Sequence, residues 1–164
     1  MDDRQLIMNL YADNRTQARH HEVLRATGST LIAAGAAALL TAVMQDQSLS
    51  GPGLPLAIFM MVIGIFGVIF CGKEYERIRL HVDRADVLLR ILDQSDTTFN
   101  LVAVRDNADK LHGRRFPIFY RLRLNLLWLV LHFLIFVCGL VLTALILQRS
   151  GIKLDVIREF MMRL

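Results

Sequence analysis

Residues 124–147, "LNLLWLVLHFLIFVCGLVLTALIL", run for 24 positions without an Asp, Glu, Lys or Arg. As a helix this stretch is about 36 Å long, enough to cross the roughly 30 Å of hydrocarbon in a bilayer. Buried helices of soluble bundles rarely continue that far without a charge, so the run points to a membrane-spanning helix. Two further uncharged stretches precede it, "LIAAGAAALLTAVM" at 31–44 and "LPLAIFMMVIGIFGVIFC" at 54–71. The second nearly reaches spanning length, and the first does so when Ala26–Thr30 is added. The chain is 54% hydrophobic and 21% charged, so its apolar residues are segregated into runs rather than mixed with its charges. The expected fold is an all-α integral membrane protein with three transmembrane helices and amphipathic cytoplasmic helices continuous with the spans. Its parts are an N-terminal cytoplasmic helix (1–28), spans at 26–44, 54–71 and 124–147, a cytoplasmic helical region (72–123) and an amphipathic tail (148–164). A cleaved signal peptide is not expected, because Asp2, Asp3, Asp13 and Glu22 precede the first apolar run.

Basic residues set orientation, since loops rich in Lys and Arg are retained in the cytoplasm. Four lie in residues 1–28, none in the short 45–53 turn, eleven in residues 72–123 and four after residue 147. The N-terminus and the long loop are therefore read as cytoplasmic, and the short turn and C-terminal tail as periplasmic, in a bacterial inner membrane. The tail's own basic residues run against the rule, but charge near the first spans dominates. Cys71 and Cys138 fall at different depths, about 20 Å into the third span for Cys138, and read as small apolar packers rather than a disulfide.

"KEYERIRLHVDRADVLLRIL", residues 73–92, follows the second apolar run after a single glycine. On a helix, Ile78, Val82, Ala85, Leu88, Leu89 and Leu92 share one stripe, opposite Arg77, Arg79, Asp83, Arg84, Asp86 and Arg90. Ile78, Ala85 and Leu92 are seven apart, as are Val82 and Leu89, which suits packing against other helices. Ile78, Val82, Ala85 and Leu89 are thus candidate packing or oligomerisation residues. Arg79 with Asp83 and Asp86 with Arg90 form i,i+4 pairs. The absence of a linker implies that span two leaves the bilayer as one rod, ended by "DQSD". The N-terminal segment has no helix breaker before Gly28 and feeds span one in the same way. A third helix is expected at 98–112, where Leu101, Val104, Ala108 and Leu111 repeat at helical spacing before Gly113.

Within lipid, helices associate through small residues. Span one offers Ala33/Ala37 and Ala34/Ala38. Span two offers Ala57, Gly64 and Cys71 at seven-residue spacing with Gly67 beside them, so Ala57, Gly64 and Gly67 join the candidate packing set, within one chain or between chains. Span three is bulky and carries His132 near its middle. An intramembrane ionisable group is a functional candidate; a neutral histidine hydrogen-bonded to a neighbouring helix is the alternative. No span holds a carboxylate, which argues against an ion-coupled transporter. In "HGRRFPIFYRLR" (112–123), Arg114, Arg115, Arg121 and Arg123 sit among aromatics as a basic anchor for anionic lipid, with nucleotide or phosphate capture as the other reading. Pro117 fits the first turn of the helix leading into span three. The terminal "IKLDVIREFMMRL" groups its apolar residues on one side, as an interfacial helix would.

No phosphate-binding glycine loop, HExxH, CxxC or GxSxG is present. His20, His21, His81 and His112 lack ligand spacing. No catalytic residues, cofactor or metal are therefore expected. The isoelectric point near 9.5 follows from positive-inside arginines, so nucleic acid is not an expected partner.

The layout carried by "ARHHEVLRATGSTLIAAGAAALLTAV" and "MVIGIFGVIFCGKEYERIRLHVDRADVLLRIL", about residues 18–95, resembles the bacterial SLATT domains: a cytoplasmic helix, two spans with a short outer turn, then a charged helix running straight off span two. The third span and the amphipathic tail depart from the minimal two-span pattern. The resemblance implies a non-enzymatic, oligomeric membrane effector, pore-forming or membrane-disrupting, in an antiphage defence system. Its partners would be the lipid bilayer, further copies of itself, and a cytoplasmic partner protein or nucleotide signal. The alternative is a membrane anchor or scaffold subunit that recruits a soluble enzyme. The assigned topology requires that alkaline phosphatase fused after Gln47 be active and that a fusion after Asn107 be inactive; reversed activities would overturn the orientation.

Overall fold

The computed structural model describes residues 2–45, 53–95, 100–121 and 123–150. Among them the structure is all-helical: α1 (Asp3–Gln45), α2 (Leu54–Ser95), α3 (Leu101–Arg115), α4 (Pro117–Arg121) and α5 (Leu124–Arg149). Three helices, α1, α2 and α5, are long and apolar enough to cross a membrane. The expected interfacial helix at 152–164 and most of the short outer turn lie outside the described residues. The chain forms two compact units, Met1–Thr27 with Cys71–Leu127, and Gly28–Phe70 with Trp128–Leu164.

The apolar unit is held together by a repeating 3-4 spacing. On α5 the buried residues are His132, Ile135, Gly139, Leu142 and Ile146. On α1, Ser29, Ala36 and Val43 are buried at seven-residue steps. That rhythm keeps one stripe of each helix facing its partners, as in left-handed coiled coils. Ala36, Val43, Ala57, Met60, Ile135, Leu142 and Ile146 make up the core.

Two glycines bring the α2 and α5 backbones into direct contact. A Cβ on Gly64 would lie 2.6 Å from the Phe136 backbone nitrogen, and one on Gly139 would lie 2.7 Å from the Met61 nitrogen and 2.9 Å from the Ala57 carbonyl oxygen. Such approach maximises van der Waals contact where lipid removes the hydrophobic drive between helices. Ala57, Gly64 and Gly67 therefore pack within the chain, against its own α5. The expected contact pairs of span one differ. Ala34, Ala37 and Ala38 are exposed and Ala33 is half-buried, because the buried line of α1 passes through Ser29, Ala36 and Val43.

In the charged unit, α1 up to Thr27 packs on α2 from Cys71 onward. Ala18 and Arg25 are buried on the first, Cys71, Ala85 and Leu92 on the second. Ile78, Val82 and Leu89 are half-buried, while Arg77, Arg79, Asp83, Arg84 and Arg90 are exposed. Ala57, Gly64, Cys71, Ile78, Ala85 and Leu92 thus form one seven-residue line along α2, which stays helical through Gly72.

The third helix departs from expectation at both ends. It starts after Asn100, whose side-chain oxygen accepts the Ala103 amide at 2.7 Å, and it runs through Gly113 to Arg115. The stop signal is Pro117, which disfavours helical geometry at the preceding Phe116; Phe116 sits at φ −129°, ψ 62°. Pro117 then opens the separate five-residue α4, and α5 begins afresh at Leu124, where the uncharged run begins. Leu101, Val104, Ala108 and Leu111 are all exposed, and α3 has no buried residue. What ties α3 to α2 is polar: Asp93 accepts the Leu101 amide, and Asp86 accepts from Arg105 at 2.7 Å. Asp86 thus bonds across to α3 instead of to Arg90, whereas Arg79 and Asp83 do pair, at 3.0 Å.

Gly64→Val is expected to lower stability by at least the 1–3 kcal/mol typical of overpacking, roughly, because the clash is with backbone. Gly35→Ala, where an added Cβ meets nothing within 4 Å, should be neutral or raise stability by up to about 1 kcal/mol through helix propensity. Thermal unfolding in detergent, followed by Trp128 fluorescence, separates the two; equal midpoints would contradict the backbone contact.

Candidate functional site

Each unit holds a set of buried or half-buried polar side chains. In the apolar unit, His132 is fully buried and its Nε2 lies 3.1 Å from Ser29 Oγ on α1. Gly67 makes room for this ring, since a Cβ there would overlap the imidazole. His132 is the ninth residue of α5, about 12 Å from its start. It sits in the first half of the helix rather than at its middle, because Ser29 is likewise near the start of the apolar part of α1. Nδ1 of His132 has no hydrogen-bond partner among the described residues. Serine and histidine here share the atoms of a nucleophile–base pair, but nothing orients Nδ1 and both side chains are fully buried. The contact is an interhelical hydrogen bond, which satisfies polar groups that hydrocarbon would otherwise leave bare.

In the charged unit, a polar seam runs between α1 and α2. His21 Nδ1 lies 2.9 Å from Glu74 Oε2, and His81 Nδ1 lies 3.1 Å from Asn14 Oδ1. The two imidazoles stack with centroids 5.5 Å apart and planes inclined by 18°, and His20 meets His21 edge-on at 5.9 Å. Burial first, then the charges of His21, Arg84 and Arg77, pull the His81 imidazolium below its ordinary range, against the opposing effect of Asp13. Histidines 60 residues apart in sequence are therefore neighbours. The sequence hides this, because an i,i+4 or CxxC-type spacing registers only ligands on one element. Among the described residues no group of three or more His, Cys, Asp or Glu side chains could hold a metal ion.

Arg25 is 3% exposed; it donates to Asn125 Oδ1 at 3.4 Å and lies 3.7 Å from Glu22, while its Nε has no hydrogen-bond partner among the described residues. Asn125, which the sequence marks only as near an interface, is thus an acceptor for a buried guanidinium. Neither this pairing nor that of Ser29 with His132 carries a local signal, since each joins residues about a hundred positions apart.

The basic anchor residues fall at the α3–α4 corner and the entry to α5. Arg114, Arg115 and Arg123 are exposed, with the Arg115 guanidinium 5.6 Å from the Phe116 ring centre; Arg121 closes α4. An open groove at this corner is lined by Lys110, Arg114 and Tyr120, but also by Asp106 and Asp109. Two carboxylates opposite two cations do not make an anion site, so phosphate capture gains nothing from this groove. Cys71 and Cys138 are both free thiols.

No family model, curated protein or solved structure matches the chain.

Ser29→Ala leaves the buried His132 Nε2 without its partner and should cost about 1 kcal/mol, within the range measured for hydrogen bonds between membrane helices. Gly67→Leu should cost more, because the imidazole has nowhere to go. Chemical unfolding in detergent measures both; an unchanged Ser29→Ala variant would mean that the hydrogen bond contributes nothing to holding α1 against α5.

Proposed function

We propose that the chain is a non-enzymatic, oligomeric membrane effector, pore-forming or membrane-disrupting, as the SLATT-like layout suggests. It would sit in a bacterial inner membrane with residues 1–28 and 72–123 in the cytoplasm and the C-terminus in the periplasm. A cytoplasmic partner protein or nucleotide signal would act on the charged helices. The observation that carries this reading is the continuity of α2, which stays helical from Leu54 to Ser95 and keeps one seven-residue line of buried and half-buried residues along it. An unbroken helix bends little without a proline, glycine pair or inserted side chain, so a twist applied to the charged half is passed along its axis.

The second reading, a membrane anchor or scaffold that recruits a soluble enzyme, is favoured by α3. Its apolar stripe, Leu101, Val104, Ala108 and Leu111, is exposed in a helix otherwise held by polar contacts, and such a face suits a protein partner.

Two variants separate the readings. Inserting two glycines after Gly72 should keep crosslinked oligomers in membranes but relieve growth arrest on induction, since each glycine weakens the helix by about 1 kcal/mol and frees the joint. Val82→Glu, at a half-buried position, should reduce both oligomer and toxicity, and Arg84→Gln on the exposed side should change neither. Toxicity that survives the glycine insertion would favour the anchor.

A further inference from the structure

We propose that the stacked His21–His81 pair is a proton-operated latch between α1 and α2, closed while His81 is neutral and released when His81 gains a proton.

The protonation pattern follows from the partners. Asn14 Nδ2 donates to the Leu10 carbonyl at 2.9 Å, which fixes the amide so that Oδ1 faces His81. An oxygen only accepts, so His81 Nδ1 carries the hydrogen and Nε2 holds the lone pair in the neutral ring. His21 Nδ1 lies 2.9 Å from the Glu74 carboxylate, which likewise only accepts, so this nitrogen also carries its ring's hydrogen. One ring therefore has a charged acceptor and the other a neutral one. A proton added to His81 enters at Nε2 and puts a cation in a ring stacked 5.5 Å from that of His21, with the planes inclined by 18°.

The surroundings do not compensate for that charge. From α2, Arg77 and Arg84 act against it; from α1, Asp13 alone favours it, and His20 adds a further titratable ring beside His21. On α3, Arg105 is engaged by Asp86 and Asp106. Because His81 in the closed seam takes up its proton at lower pH than an ordinary histidine at 6.5, the contact is at full strength above that pH. It weakens as the pH falls through the lower, folded-state range, where the opened form binds more protons. A single such group changes the opening equilibrium by up to about tenfold per pH unit. Once detached, the first turns of α1 have only local helix propensity to hold them and fray.

Hydrogen exchange on the full chain in lipid nanodiscs, corrected for the intrinsic pH dependence of exchange, tests this without any assay of membrane activity. Peptides covering residues 10–24 and 74–90 should lose up to about fivefold protection between pH 6.5 and 5.5, with α5 peptides unchanged. His81→Gln, which cannot be charged, should abolish the loss. Should that variant not fold, Asn14→Asp supplies the missing carboxylate to His81 and should retain protection down to pH 5. Equal protection of the wild-type chain at pH 7.5 and 5, or a loss that persists unaltered in the folded variants, overturns the latch.

Discussion

The α2–α5 contact depends on two backbones touching. Gly64 meets the Phe136 main chain, and Gly139 meets Met61 and Ala57, so the two helices are closer than any pair of side-chain-bearing residues would allow. In lipid there is no water to expel, and dispersion at short range is what remains to hold apolar helices together. The 3-4 rhythm of buried positions on α5 follows from this contact, since each turn must return the same stripe to the same neighbour. Thr143 reinforces the crossing by donating to the Gly139 carbonyl at 2.8 Å while lying 3.6 Å from Met61 sulfur.

Polar side chains then specify which helix faces which. An apolar stripe of alanine, leucine and isoleucine tolerates sliding and rotation, whereas a buried imidazole has few acceptable positions. His132 requires both the hydroxyl of Ser29 and the void of Gly67, which fixes α5 against α1 and α2 together. In the charged unit the same role falls to His21 with Glu74, His81 with Asn14, and Arg25 with Asn125. These contacts differ in kind. The first joins an imidazole to a hydroxyl, while the second also brings in the Glu74 carboxylate and the Arg25 guanidinium.

α3 stands apart from both. It is secured by a cap at Asn100 and by Asp86 and Asp93 of α2, and it buries nothing. Exposed ion pairs contribute little each, so this helix belongs to the low-stability end of the fold, where segments that move or bind are usually drawn from.

The sequence alone determined the helical character of the chain and its three segments long and apolar enough to cross a membrane. An uncharged run of spanning length can satisfy its backbone only as a helix in lipid, and a seven-residue apolar repeat directly after Gly72 leaves no place for a break. The stripe through Ile78, Ala85 and Leu92 and the small residues of α2 were legible for the same reason: periodicity is a property of one helix. What only the tertiary structure decided is which stripe meets which. Seven alanines in span one (26–44) make several lines look equivalent, and the choice of Ser29, Ala36 and Val43 came from the demands of α5. Gly139 and Thr143 stand at small-xxx-small spacing on α5, but only the packing shows that Gly139 meets the α2 backbone. The pairing of His132 with Ser29, of His21 with His81 and of Arg25 with Asn125 joins positions 60 to 103 residues apart. No local spacing encodes such pairs, because helix geometry relates residues a few positions apart and packing alone relates the rest.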